Sequence, residues 1–139
     1  MPLIEVELES EKQVTSTIGL IDSGATLTFI PYEIADILEL VPNEPLQAHQ
    51  ISRVQTAGGI ANFLSVKIRR LSVLHKGSIF SDFNNFTVYF PYASEVEDRY
   101  KVDLPYAILG RDSIFKRFVI TFLEKRSEFE LIYHKGSSK

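Results

Sequence analysis

One carboxylate in this sequence sits where a carboxylate is costly. In Leu20-Ile21-Asp22-Ser23-Gly24-Ala25-Thr26-Leu27-Thr28-Phe29-Ile30, two apolar residues lead into Asp22 and an alternating apolar and polar run leads out. Period-two alternation is the signature of a strand and Ser-Gly is turn chemistry, so Asp22 belongs on a tight turn between two strands. Charged side chains with apolar flanks are uncommon without a partner. Such an Asp either caps its own turn, a structural role, or is a poised acid–base group. Two further segments carry related signals. Ala107-Ile108-Leu109-Gly110-Arg111-Asp112 is an apolar strand ended by Gly and followed by a charged pair. Thr56-Ala57-Gly58-Gly59-Ile60 sets two glycines between extended segments, the pattern of a hairpin tip.

In this order and together, the three segments resemble the hallmarks of the retropepsin-like, single-domain branch of the aspartic proteases. The resemblance spans about Leu20 to Phe122. It implies a mainly β fold: a closed acid-protease β-barrel with a flap hairpin and one or two short helices. It further implies that Asp22 is catalytic and that Ser23 hydrogen-bonds beneath the paired carboxylates. Gly24 would shape the turn, and the small Ala25 would leave the cleft floor open. Ala57, Gly58, Gly59 and Ile60 would form the flap tip. Leu109, Gly110, Arg111 and Asp112 would support the active-site loop. Members of this branch pair the Arg at position 111 with an acid four places after the catalytic Asp. Here that place is held by Thr26. Arg111 is therefore left to find another acid, Asp112 or one from a second subunit, or to stay exposed.

Aspartic proteolysis needs two carboxylates across one water. Two so close cannot both ionise, so the pair shares a proton; the ionised partner deprotonates the water while the protonated one polarises the scissile carbonyl. This chain has a single Asp-Ser-Gly, because Asp36, Asp82, Asp98, Asp103 and Asp112 lack the following Ser/Thr-Gly. One chain is then half a site, and the catalytic reading requires a homodimer with two-fold symmetry. The expected substrate is an extended peptide added as a strand between flap and floor. Ile21, Leu27, Phe29, Ile60 and Ile108 are the expected lining of apolar pockets. Two other readings use the same residues: a non-catalytic peptide-binding or regulatory dimer on the same fold, and a plain β-barrel interaction domain in which Asp22 caps a turn.

The composition suits one domain over 1–139 with a proper core, at 139 residues, 45% hydrophobic and 24% charged. A formal net charge of −3 disfavours nucleic acid as the main partner. With no cysteine there are no disulfides and no thiolate metal site, and His49, His75 and His134 follow no metal-ligand spacing, so no metal or cofactor is expected. No signal peptide is visible at Met1-Pro2-Leu3-Ile4 and no stretch has the length of a membrane helix, so the expected setting is cytoplasmic, without a membrane partner.

The elements that must position Asp22 follow from the same periodicities. Residues 2–9 alternate apolar and acidic, a half-buried strand read either as a plain sheet edge or, as the resemblance to retropepsin-like proteins implies and slightly preferred, as a dimer strand. Ser10-Glu11-Lys12 turns the chain into a second strand, Gln13–Ile21. Pro31–Leu40 has helical spacing, with Pro31 in the first turn and Glu33 suited to the N-terminal dipole. Strands are expected over 46–55, from Ile60 through Leu74, over Phe86–Tyr92, Tyr106–Leu109, Phe118–Leu123 and Glu128–Tyr133. Arg69 and Arg70, adjacent on a strand, point to opposite faces and read as a solvated pair. Residues 93–103 read as an exposed loop and 134–139 as a frayed tail. Asp112 is placed to cap a short helix from Ser113 to Arg117.

Overall fold

The computed structural model describes residues 2–43, 51–56, 59–93, 104–123 and 128–133. The expected loop and tail fall almost wholly outside them. Strand β1 (Leu3–Glu9) and strand β2 (Val14–Ile21) form the first hairpin. Its turn is organised by the buried Ser10, whose Oγ accepts from the backbone N–H of Lys12 and Gln13 at 3.2 and 3.0 Å and donates to Leu38 O at 2.8 Å. The last of these ties the turn to the end of helix α1 (Tyr32–Ile37).

The alternation in β1 holds: Val6 and Leu8 are fully buried while Glu5 is exposed. Its place in the sheet differs from expectation. β1 pairs with β2 along its whole length and with strand β4 (Gly59–His75) over Glu5–Glu9, while Leu3 and Ile4 lie beyond the β4 ladder. From Glu5 to Glu9 it is therefore an inner strand and not a sheet edge. Its register sets Glu9 opposite Arg70, which donates to Glu9 Oε1 at 2.8 Å, with the exposed Arg69 at 3.7 Å from Oε2. The two arginines thus share one acid.

Strand β3 (Ile51–Thr56) and the start of β4 make the expected hairpin. β4 then runs on for 17 residues and turns through Lys76 and Gly77 into strand β5 (Ser78–Pro91). Both turn residues have positive φ, 51° and 79°, as a two-residue hairpin of the right twist requires. Residues 78–85 were not expected as strand, since Ser, Asp and Asn dilute the β signal there. Strand β6 (Ala107–Leu109) lies parallel to the end of β2. Helix α2 (Ile114–Arg117) leads into strand β7 (Phe118–Leu123), which pairs with strand β8 (Glu128–Tyr133) as a separate two-stranded sheet. Tyr133 anchors that sheet to β5 through its hydroxyl to Phe80 O at 3.1 Å.

The regular ladders run β5–β4–β1–β2–β6. The two ends meet through residues 28–30. Phe29 exchanges both backbone hydrogen bonds with Ile108 of β6, while Thr28 O and Ile30 N bond to Tyr89 of β5. The wall therefore returns to its start through a short segment rather than a full strand. It encloses Val6, Leu8, Ile30, Ile68, Phe90 and Leu109. Among the described residues no helix is long and apolar enough to cross a membrane.

Helix α1 is shorter than its periodicity suggested, with Pro31 at the N-cap. It ends in a Schellman arrangement: Leu40 N bonds to Ala35 O and Glu39 N to Asp36 O, with Glu39 at φ 56°. A glycine would mark that end in a sequence; this chain puts a glutamate there, and the stop was not legible.

Candidate active site

Asp22 follows the last rung of β2 at the point where β2 and β6 run side by side. The parallel ladder pairs Gly19–Ile21 with Ala107–Leu109, and Asp22 N adds one more bond to Leu109 O at 3.1 Å. The chain then turns on the Asp22 side chain itself: Gly24 N donates to Oδ1 at 2.9 Å and Ala25 N to Asp22 O at 3.2 Å. A backbone N–H aimed at a carboxylate oxygen fixes the plane of the group. A Cβ on Gly24 would stand 3.2 Å from Oδ1, so glycine lets the turn close this tightly. Asp22 is half-buried and Ser23 and Gly24 are exposed, so the carboxylate is held from below and open above. Among the described residues Oδ2 has no protein donor.

The segment after β6 clasps this loop from behind. Arg111 N bonds to Ala25 O at 2.9 Å and Asp112 N to Thr26 O at 3.2 Å. Gly110 is where the two segments cross. A Cβ there would lie 2.2 Å from Leu27 O and 2.8 Å from Ala25 O, both rigid backbone atoms. Only glycine fits. This gives the Leu109-Gly110-Arg111-Asp112 motif its physical content: it is a clamp on the Asp22 loop, made by Gly110 and by the backbone of its two successors.

Asp112 does not cap α2. The N-cap of that helix is Ser113, without a side-chain cap bond. The Asp112 carboxylate turns instead to Thr28, accepting from its Oγ1 at 2.6 Å and from its N at 3.2 Å. Thr28 is fully buried; its Oγ1 also lies 3.0 Å from the buried Ser113 Oγ and accepts from Gly110 N at 3.4 Å. Burial pushes the Asp112 carboxyl above its ordinary range, opposed by the Thr28 hydrogen bonds and by nearby Lys116. Thr28 is the supporting residue that the sequence reading left without a role. Its signal was faint: a polar residue in phase with Ile30, which is equally buried.

Arg111 finds no carboxylate among the described residues. Its side chain is exposed and its Nη2 donates to Thr26 Oγ1 at 3.1 Å, the very position where the acid is missing.

The β3–β4 hairpin stands where expected, with Thr56 paired to Gly59; Ala57 and Gly58 lie outside the described residues. Phe63 in β4 meets Phe29 edge-on at 5.1 Å, and Phe29 contacts Tyr89 at 5.8 Å. The hairpin face carrying Ala61 and Phe63 is thus turned toward the segment that leaves the Asp22 loop. Two expected pocket residues are displaced. Ile21 is 3% exposed and belongs to the core. Ile60 is 62% exposed and lies on the hairpin face opposite Phe63, lining with Ile51, Arg53 and Asn62 a shallow cavity of about 350 Å³. Leu27, Phe29 and Ile108 are half-buried and available.

No family model matches the sequence, and no curated protein matches it in sequence. Among solved structures, the fold is similar to that of a retropepsin-like aspartic protease from Rickettsia conorii, with a TM-score of 0.54 over 94% of this chain and 96% of the other, at 12% identity. The fold is therefore of the retropepsin-like kind.

Proposed function

We propose that the chain is one half of a homodimeric aspartic endopeptidase. The observation that carries the reading is the built support of Asp22. Its carboxylate is held at one oxygen by Gly24 N, its loop is clamped by the Gly110–Asp112 segment, and its other oxygen has no donor among the described residues. A residue that merely capped a turn would not need the second clamp or the buried Thr28–Asp112 bond behind it.

The remaining described aspartates are unsuited to complete a pair within one chain. Asp36 is exposed on α1, Asp82 lies on β5 opposite Ser72 of β4, and Asp112 is committed to Thr28. A second Asp22, brought in by a two-fold axis, supplies the missing carboxylate. One proton is then shared between the two side chains. The ionised Asp22 takes a proton from the water lying between them as its oxygen attacks the scissile carbonyl carbon. The protonated Asp22 donates to the carbonyl oxygen, and collapse of the tetrahedral intermediate passes a proton to the leaving amine. In this reading Ser23, exposed beside Asp22, steadies the pair across the axis. The peptide lies extended between the hairpin and the Phe29–Ile108 wall, which favours apolar side chains beside the cleaved bond.

The test compares wild type with Asp22→Asn on a mixed peptide library from about pH 3.5 to 7, alongside sedimentation analysis. Cleavage by wild type alone, rising as pH falls from neutral until both carboxyls are protonated, supports the reading. A strict monomer at high concentration, or cleavage by both proteins, contradicts it. A folded dimer that binds peptides without cleaving them would be the non-catalytic module instead.

A further inference from the structure

We infer that Arg111 makes the rim of the Asp22 loop cationic and selects peptides carrying an acidic side chain near the scissile bond. The inference rests on the endopeptidase reading only for where the peptide lies. Arg111 is fixed through its backbone N to Ala25 O, so its side chain starts on the segment hydrogen-bonded to the loop that carries Asp22 and reaches Thr26 of that loop. It is exposed, and its sole described contact is a neutral one, Nη2 to Thr26 Oγ1 at 3.1 Å. Thr26 is itself exposed, so this contact orients the guanidinium at the surface without neutralising it.

The other charges of the clamp do not cancel it. Asp112 is half-buried and bonded to Thr28, and Lys116, close enough to act on Asp112, adds a second exposed cation. Apart from Asp22, the described charges beside the loop are therefore positive or already engaged. A guanidinium with unused N–H donors is a fork for a carboxylate, and it pairs with Glu or Asp in a way that neutral Gln or Asn cannot match. A peptide strand crossing the loop carries its neighbouring side chains past this group. Glu or Asp at one of these positions gains a charge-assisted contact, and Lys or Arg there is repelled.

The measurement is peptide binding to the catalytically silent Asp22→Asn protein, read by fluorescence anisotropy. The probes are extended peptides with an apolar centre, synthesised as twins with Glu or Gln at each flanking position. At one position the Glu twin should bind about three- to tenfold more tightly, and the advantage should shrink as salt rises from about 50 to 300 mM. Arg111→Gln, which keeps a donor for Thr26, should abolish the difference, and Arg111→Lys should retain part of it. Equal binding of all twins, or a preference untouched by Arg111→Gln, overturns the inference. So does an Arg111→Gln protein that loses its dimer while keeping the preference, since Arg111 would then serve the subunit contact. Discrimination by a protein whose wild type cleaves nothing sinks the peptidase reading alone; cleavage without discrimination sinks this inference alone.

Discussion

Replacing Gly110 by alanine is the sharpest test of the clamp. The added Cβ would sit 2.2 Å from Leu27 O and 2.8 Å from Ala25 O, where ordinary contact starts near 3.4 Å. Relief requires one backbone segment to retreat by roughly 1 Å, which costs about 1–3 kcal/mol as overpacking. The retreat also stretches the Arg111 N–Ala25 O and Asp112 N–Thr26 O bonds, at about 1 kcal/mol each. The sum is roughly 3–5 kcal/mol, a large part of the about 5–15 kcal/mol that holds a domain folded. For 139 residues this corresponds to a fall in Tm of about 10–17 °C. The assay is thermal and urea unfolding at fixed protomer concentration, because any dimer makes stability concentration-dependent. Gly77→Ala is the control. Gly77 has φ 79° with nothing within 4 Å of its would-be Cβ, so alanine there pays only for the left-handed backbone, about 1–2 kcal/mol. Gly110→Ala within about 1 kcal/mol of wild type would mean that the two carbonyls do not stand against Gly110, and the clamp would have to be abandoned.

Thr28→Val should cost about 2–3 kcal/mol in urea unfolding, because it strips the hydroxyl from a half-buried carboxylate, while Thr28→Ser should recover most of the loss; equal stability of Val and Ser variants would remove Thr28 from the support. Asp112 should give a pH signature. Its folded pKa is raised above the ordinary 3.8, so the folded state holds the proton more tightly than the unfolded chain. Its contribution favours folding below that ordinary value and is lost as pH rises through the raised one. Unfolding free energy measured from about pH 3 to 6 for wild type minus Asp112→Asn should therefore fall with rising pH, and a flat or rising difference would show that burial does not dominate at this carboxyl.

The three motifs were legible because each is a local demand. An Asp-Ser-Gly turn, a glycine where a Cβ would strike backbone, and a glycine-tipped hairpin leave their marks in consecutive residues. The supports were less so. Asp112 had the right spacing for a helix cap, yet its carboxylate bonds Thr28, distant in the chain, and residues so far apart carry no mutual signal in one sequence. Ile60 looked like a pocket residue from alternation, but the hairpin register puts it on the face opposite Phe63.

By itself the sequence determined the strand periodicity, the place of Asp22 on a turn, and the presence of a single Asp-Ser-Gly. These follow from side-chain type and short-range spacing. The tertiary structure decided which edges pair: β1 between β2 and β4 over Glu5–Glu9 rather than at a sheet edge, and Phe29 as the link that joins β5 to β6. It also decided that Arg111 meets Thr26 and stays charged at the surface. The physical reason is that alternation encodes which face of a strand is apolar, whereas its edges are backbone N–H and C=O groups common to nearly every residue, so the choice of neighbour is made only when the whole core closes.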